Sequence, residues 1–302
     1  MENKPKNLWK HVDGDEYQLH VMISTIDSTT ESEDTDERIV YMEDLEKRKQ
    51  VYGICGECNE PGTGEKWCQP CNAKRFKDNF KNWTSGNKDI DEFIQQSQLN
   101  AVYWNKCLEW IPYEKFQDIT YIAEGGFGKI YSAELPEGCI DSWDIENQKW
   151  YRKCSDSGKY ALKSLNNSSN ISSDFLNEIH LFDVITCYGI TQDPKTKECM
   201  MVLNYFINGN LRNYLSKSEK YIDYELKINK LQQIARGLSD IHIAGKIHKD
   251  FHSGNLLHSD SFIYISDLGM CQPANKQTVT LLKLAKSGLC SRYVAAIYII
   301  KK

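Results

Sequence analysis

Apolar and polar positions change rhythm twice along the chain. Over 1–50 apolar residues are sparse, and the stretch centres on the acidic run Glu31-Ser32-Glu33-Asp34-Thr35-Asp36-Glu37, which predicts a flexible tail. Within 36–50, Ile39, Met42 and Leu45 fall at helical spacing among charges, which predicts a short solvated helix. From Asn87 to Trp110, Ile90, Phe93, Ile94, Leu99, Tyr103, Cys107 and Leu108 fall near one helical face, so a helix packed on its neighbours is expected. Ile111-Pro112 breaks it, because the residue before a proline is pushed out of the helical region. Beyond Phe116 the period shortens: 119–122, 129–133 and 159–163 read as three antiparallel strands, with 136–158, rich in Trp143, Trp150 and Tyr151, as a surface hairpin inserted between the second and third. A short helix over 174–182, strands over 184–190 and 199–205, and helices over 211–216 and 225–244 complete the pattern. Strands first and helices second is an α+β order with segregated lobes.

Composition narrows the setting. A chain of 302 residues with 40% hydrophobic content can bury one full core or two smaller ones. Met1 to Lys10 is polar, so no secretory leader is expected, and the longest apolar run, Val294 to Ile300, is too short to span a bilayer. A net charge of −5 argues against nucleic acid as the main partner, since phosphate backbones demand a concentrated basic surface. The expected location is the cytosol, with the nucleus as a further compartment, and no membrane association is foreseen.

Eleven cysteines in such a setting read as reduced thiols and metal ligands. Cys55-Gly56-Glu57-Cys58 and Cys68-Gln69-Pro70-Cys71 are two Cys-x-x-Cys pairs, separated by a loop at 59–67 that holds Pro61, Gly62 and Gly64. Each pair can offer two thiolates from a tight turn to one tetrahedral zinc ion, and four thiolates close the shell, so the expected role is structural. The alternatives are unligated thiols, or a redox pair, for which no thioredoxin-like βαβ pattern is at hand. The segment 51–76 is too small to fold on apolar burial alone. The remaining cysteines lack such spacing and read as small core or surface residues.

Downstream, separated motifs follow in one order: Glu124-Gly125-Gly126-Phe127-Gly128, Ala161-Leu162-Lys163, Glu178, His248-Lys249-Asp250 with Asn255, and Asp267-Leu268-Gly269. Each alone is weak; together they answer the demands of phosphoryl transfer, namely a loop over phosphates, a lysine on them, a carboxylate at the incoming hydroxyl and two cation ligands. From about Tyr113 to Cys271 the chain resembles the protein kinases. The spelling Asp250-Phe251-His252-Ser253-Gly254-Asn255 is similar to the tyrosine-kinase-like branch, and the cysteine-rich prefix with Asn82-Trp83-Thr84-Ser85-Gly86-Asn87 resembles the expanded kinase family of arbuscular mycorrhizal fungi.

The resemblance implies ATP and Mg²⁺ as cofactors, a protein substrate carrying a Ser, Thr or Tyr hydroxyl, and a role in signal transduction. It implies Gly125, Gly126 and Gly128 over the phosphates, with Ala123 where the family has its first loop glycine. Lys163 would anchor phosphates, with Glu178 as its ion-pair partner. Leu203 resembles the gatekeeper, Asn204 to Phe206 the adenine-facing hinge, Ile130 and Ala161 the roof over adenine, and Leu257 the floor. Asp250 is implied as base, Asn255 and Asp267 as magnesium ligands, and His252 as a contact to the γ-phosphate. His248 reads as structural. Lys249 stands where the family carries Arg and lacks its bidentate fork.

The resulting layout is a tail over 1–50, a four-cysteine zinc-binding module over 51–76, a helical linker over 77–112, a small lobe over 113–206 and an incomplete large lobe over 207–302. Past Cys271 no Ala-Pro-Glu or later large-lobe helix is recognisable, and barely a turn separates Glu178 from Val184. Slow turnover is therefore expected. So is exposure of Leu231, Ile234, Leu238 and Ile241, unless 279–300 or a protein partner covers them. Two readings stay open: an ATP-dependent protein kinase, or a kinase-like nucleotide-binding or interaction module without turnover.

Overall fold

The computed structural model describes residues 5–14, 16–23, 37–125, 128–155, 157–164, 185–217, 224–243, 245–259, 262–268 and 271–273. Its centre is a six-stranded sheet. The strands are β3 (Glu109–Trp110), β4 (Gln117–Gly125), β5 (Gly128–Glu134), β8 (Lys159–Ser164), β9 (Cys187–Gln192) and β10 (Cys199–Asn204), ordered β3-β9-β10-β8-β5-β4. All neighbours are antiparallel except β3, which joins β9 in parallel. The expected strands are present, the one foreseen over 184–190 as Cys187–Gln192, while the helix foreseen over 174–182 lies outside the described residues; the sheet also takes in β3 from the stretch read as linker.

Alternation along the strands divides the sheet into two faces. Tyr160, Leu162, Met200 and Val202 share a core with Ile111, Phe116 and Leu135. On the other face Cys199 and Met201 join Ile190 beneath Ile90 and Ile94 of α3 (Lys88–Asn100). That helix is capped by the Asn87 side chain, which accepts from Asp89 N and Ile90 N, and Asp89 and Asp91 suit the positive end of its dipole. Burying Ile90 and Ile94 contributes roughly 1.5–3 kcal/mol each. The helix stops at Asn100, short of the expected Trp110, because the chain must turn through the 3₁₀ segment Trp104–Lys106 to enter β3.

The β3–β9 contact depends on a missing side chain. A Cβ on Gly189 would lie 2.1 Å from the Glu109 carbonyl oxygen, and backbone has nowhere to go. Gly189→Ala is therefore expected to cost roughly 1–3 kcal/mol and lower the melting temperature by several degrees. A melting curve superimposable on the parent's would contradict this.

The cysteine module and what precedes it form one folded unit. α1 (Leu45–Tyr52), the pair β1 (Leu8–Trp9) with β2 (Gly53–Ile54), and α2 (Gln69–Asn79) surround the two cysteine turns. Val12, Val21 and Val40 are buried with Val51 and Tyr52. A flexible tail over 1–50 is thus not what the described parts show: 5–14, 16–23 and 37–50 are folded against the module, while 24–36, with most of the acidic run, lie outside the described residues. The helix foreseen over 36–50 runs instead over Leu45–Tyr52; Leu45, Glu46, Lys49 and Gln50 are exposed as expected, whereas Arg48, Val51 and Tyr52 are buried. Arg48 is buried and donates to the carbonyls of Gly62, Met42 and Pro61 at 3.0, 2.8 and 2.7 Å, which satisfies its charge.

The inserted hairpin, β6 (Cys139–Asp144) and β7 (Lys149–Lys153), is present as expected but does not stand free at the surface. Trp150 stacks on Phe76 and Trp67, with centroids 4.7 and 5.9 Å apart.

The second lobe contains α4 (Leu211–Lys217), α5 (Tyr224–Ile243), the pair β11 (Lys246–Ile247) with β14 (Gln272–Pro273), and the hairpin β12 (Leu256–His258) with β13 (Ile263–Ile265). Exposure of the α5 stripe does not hold for Ile234 and Ile241, which are buried against Leu256, Ile263, Ile265 and Leu268, and Leu238 packs on the same cluster. Among the described residues no helix is long and apolar enough to cross a membrane.

Candidate nucleotide and metal sites

Strand register gathers the small-lobe candidates on one face. Ile130 and Met201 lie opposite Lys163, and Leu203 lies opposite Ala161, so these side chains share the face that α3 covers further along. Gly125 pairs with Gly128 at the tip of the β4–β5 hairpin; Gly126 lies outside the described residues, as does Glu178. Lys163 is only 6% exposed, and its Nζ lies 2.5 Å from Asp267 Oδ1. A buried ammonium needs such a partner.

Asp267 comes from the other lobe, just after β13, and it and Lys249 adopt left-handed backbone (φ 58° and 65°). Both bracket the catalytic-loop candidates, where stored strain is common. His248 is buried and donates Nε2–H to the Ser266 carbonyl at 2.9 Å, leaving Nδ1 to accept from Asp250 N at 3.3 Å. Asn255 donates its side-chain amide to Asp250 O at 2.9 Å and to Oδ2 at 3.0 Å, while Ser266 N donates to the Asn255 carbonyl at 2.7 Å. His252 Nδ1 accepts from Gly254 N at 3.0 Å, and Nε2 faces Asp250 Oδ1 at 3.6 Å. Asp250 is therefore flanked on both carboxylate oxygens. Asn255 commits its amide nitrogen to Asp250 and keeps its oxygen. Oxygen donors of this kind, the Asn255 amide oxygen and the Asp267 carboxylate, are the type a hard cation takes.

Along the seam between lobes, Phe206 is buried with its ring 4.9 Å from that of Tyr264, the residue paired with Leu257 across the β12–β13 hairpin. Asn204 N donates to Thr186 O at 3.3 Å. Ser266 was not foreseen. It holds both His248 and Asn255, and its only sequence signal is its place directly before Asp267.

The four cysteines 55, 58, 68 and 71 converge with all sulfurs within 4.8 Å of one another. Cys55 and Cys71 sulfurs are 3.9 Å apart and those of Cys58 and Cys68 are 3.6 Å apart, too long for disulfides. A tetrahedron with metal–sulfur bonds of 2.3 Å has edges of about 3.8 Å, which these distances match. The surroundings also fit a thiolate cluster. Asn72 Nδ2 and Trp143 Nε1 are buried N–H donors with no acceptor among the described residues, and both line the small cavity bordered by Cys55, Cys68, Arg75 and Lys66. A donating Cys68 thiol pulls Cys55 down to about 5, while burial and then the Cys55 charge push Cys71 up to about 12. Four thiols so close cannot all ionise without a cation among them.

A lysine held to a carboxylate, on a sheet that also carries a glycine hairpin, with a second carboxylate held by an asparagine, marks a class of domain built to handle nucleotide phosphates. Sequence comparison makes the class specific: the description "protein tyrosine and serine/threonine kinase" matches residues 116–299. The chain belongs to this family, and the matched span runs on past Cys271, where the motif pattern fades. The chain is similar to the probable serine/threonine-protein kinase PBL28 of Arabidopsis thaliana, 25% identical over 188 residues that cover 59% of this chain and 47% of that one. A probable serine/threonine-protein kinase of Dictyostelium discoideum is 25% identical over 163 residues, 54% of this chain and 17% of that one. The kinase SULU of Caenorhabditis elegans is 26% identical over 184 residues, 58% of this chain and 16% of its own. The chain thus spans less than half the length of these relatives.

Proposed function

We propose that this chain is an ATP- and Mg²⁺-dependent protein kinase of tyrosine-kinase-like type that transfers the γ-phosphoryl group to a protein hydroxyl. The observation that carries this reading is the meeting of Lys163 and Asp267 from opposite lobes at 2.5 Å, beside an Asp250 carboxylate held by Asn255. In the proposed roles Lys163 binds phosphate oxygens, Asn255 and Asp267 hold Mg²⁺, Asp250 accepts the substrate proton and His252 touches the γ-phosphate. Gly125, Gly126 and Gly128 cover the phosphates. Ile130, Ala161 and Leu257 enclose adenine, and Asn204 to Phe206 line its edge. Glu178 completes the set as the lysine's partner on the closed site. Serine or threonine is the favoured acceptor, because the similar curated kinases carry that description.

Binding at this site stabilises the folded state, so saturating ATP with Mg²⁺ raises the melting temperature. Lys163→Met and Asp267→Asn should each remove most of that rise. An undiminished rise in both variants would place the nucleotide elsewhere. A nucleotide-binding module without turnover would keep the rise and show no phosphate transfer dependent on Asp250.

For the cysteine centre we infer one structural zinc on Cys55, Cys58, Cys68 and Cys71, with no open coordination position. Metal analysis of reduced, chelator-free protein should find one zinc per chain; its absence would refute the assignment.

A further inference from the structure

We propose that the four-cysteine centre is a working part of the nucleotide-binding lobe, so that metal occupancy and ATP affinity are coupled. The inference rests on the zinc and ATP readings above and goes beyond both, since a separate zinc module on a linker would leave ATP binding untouched.

Two connections carry it. The first runs through the inserted hairpin. Cys68 stands at the N-cap position of α2, and Phe76 of that helix, with Trp67 beside the cysteine, stacks on Trp150 of β7. Arg75 lies over the Trp143 ring, its Cζ 4.2 Å from the centroid, and Trp143, whose buried N–H has no acceptor among the described residues, lines the cavity bordered by Cys55 and Cys68. This hairpin interrupts the chain between β5 and β8, the strand that carries Ala161-Leu162-Lys163. It is also tied to the far edge of the same sheet: Arg152 donates to Glu109 of β3 at 2.7 Å, and Ile140 N donates to the other Glu109 oxygen at 2.8 Å.

The second connection runs through α3. The last carbonyls of a helix have no partner within it. At the end of α3 the residues beside Cys68 supply them: Trp67 Nε1 donates to Ala101 O at 2.7 Å and Gln69 Nε2 to Leu99 O at 2.6 Å. The same helix lays Ile90 and Ile94 on Ile190 and Met201, and Met201 stands directly opposite Lys163 in the strand register. The second cysteine turn thus holds the end of the helix that backs the lysine's sheet face. Loss of the metal frees that turn, the helix end and the hairpin together, and the sheet face presented to ATP loses its support.

Coupling of this kind is reciprocal: whatever metal does for ATP affinity, ATP does for metal affinity by the same factor. The test uses the full chain, reduced, with ATP–Mg²⁺ affinity measured with zinc bound and after removal by a zinc-selective chelator. In parallel, the zinc affinity of the holo-protein is measured by competition with a chromophoric chelator, with and without saturating ATP–Mg²⁺. Expected is a change of about tenfold, equal in both directions within error. Trp67→Phe, which keeps the ring stack and deletes the bond to Ala101 O, should shrink both effects together while retaining zinc.

The competition arm needs no metal-free protein. It therefore decides the matter even where the stripped chain unfolds. Equal zinc affinity with and without ATP in a chain that binds both would overturn the coupling and leave the two sites standing. A chain that carries no zinc fails the metal assignment instead, and one that binds zinc but no ATP fails the kinase assignment.

Discussion

Asp250→Asn is expected to lower the rate of phosphoryl transfer by about two to four orders of magnitude while changing ATP–Mg²⁺ affinity little. The substitution keeps the side chain's shape and one acceptor oxygen. The bond from Asn255 Nδ2, 3.0 Å long in the parent, can therefore persist and the loop should hold its form. What disappears is the carboxylate proposed to accept the substrate proton, whose Oδ1 lies 3.6 Å from His252 Nε2. Nothing on the proposed nucleotide path, from Lys163 to Asp267, is altered. The loss should appear in kcat, with the Kd for ATP–Mg²⁺ from titration near the parent's. Equal phosphorylation of a generic protein substrate by parent and variant would remove Asp250 from the chemistry and favour the binding-module reading.

Lys163, Asp250, Asn255 and Asp267, the candidates that the structure brings into contact pairwise, were legible in the sequence because they stand in short local motifs whose spacing survives any packing. Asp250 and Asn255 sit on one loop, and their pairing follows from that. How the loop is held was less visible: Ser266 reaches back to His248 and Asn255 only because β12 and β13 pair, and no periodic signal marks a serine for that work. The same hairpin explains the error over α5. Between 256 and 265 the sequence assigns a role only to Leu257, whereas Leu256, Ile263 and Ile265 provide the apolar cover for Ile234 and Ile241.

The amino-terminal third hid more, for the opposite reason. Val12, Val21 and Val40 are too widely spaced to register in any helical or strand window, and they are buried only because the chain returns past Val51 and Tyr52. The apolar face of α3 announced that it would be covered but not by what. A two-residue parallel strand has no local signature at all, and the one trace of β3 in the sequence is a glycine at 189, whose meaning depends on a residue eighty positions earlier. Local pattern reports periodicity; it does not report which distant segment answers it.

Acidification is expected to expel the metal steeply. In the metal-free cluster Cys55 is held near 5, so it is already a thiolate at neutral pH, whereas Cys71 is held near 12 and Cys68 is pushed still higher by its bond to Cys55 and by burial. A zinc ion requires thiolate from each, so binding near neutrality must release protons from at least Cys68 and Cys71. Each released proton makes affinity rise about tenfold per pH unit, so apparent zinc affinity should climb by about a hundredfold or more per unit across pH 6–8. The sign is fixed: metal is retained at higher pH and lost as pH falls. Below about 5 Cys55 protonates as well and the slope steepens further. Competition with a chelator of known protonation, repeated across this range, measures the slope. Calorimetry in buffers of different ionisation enthalpy counts the same protons independently. A slope below tenfold per unit would mean that the four thiols are not the ligands, since no other donor set in the module carries so many protons to displace.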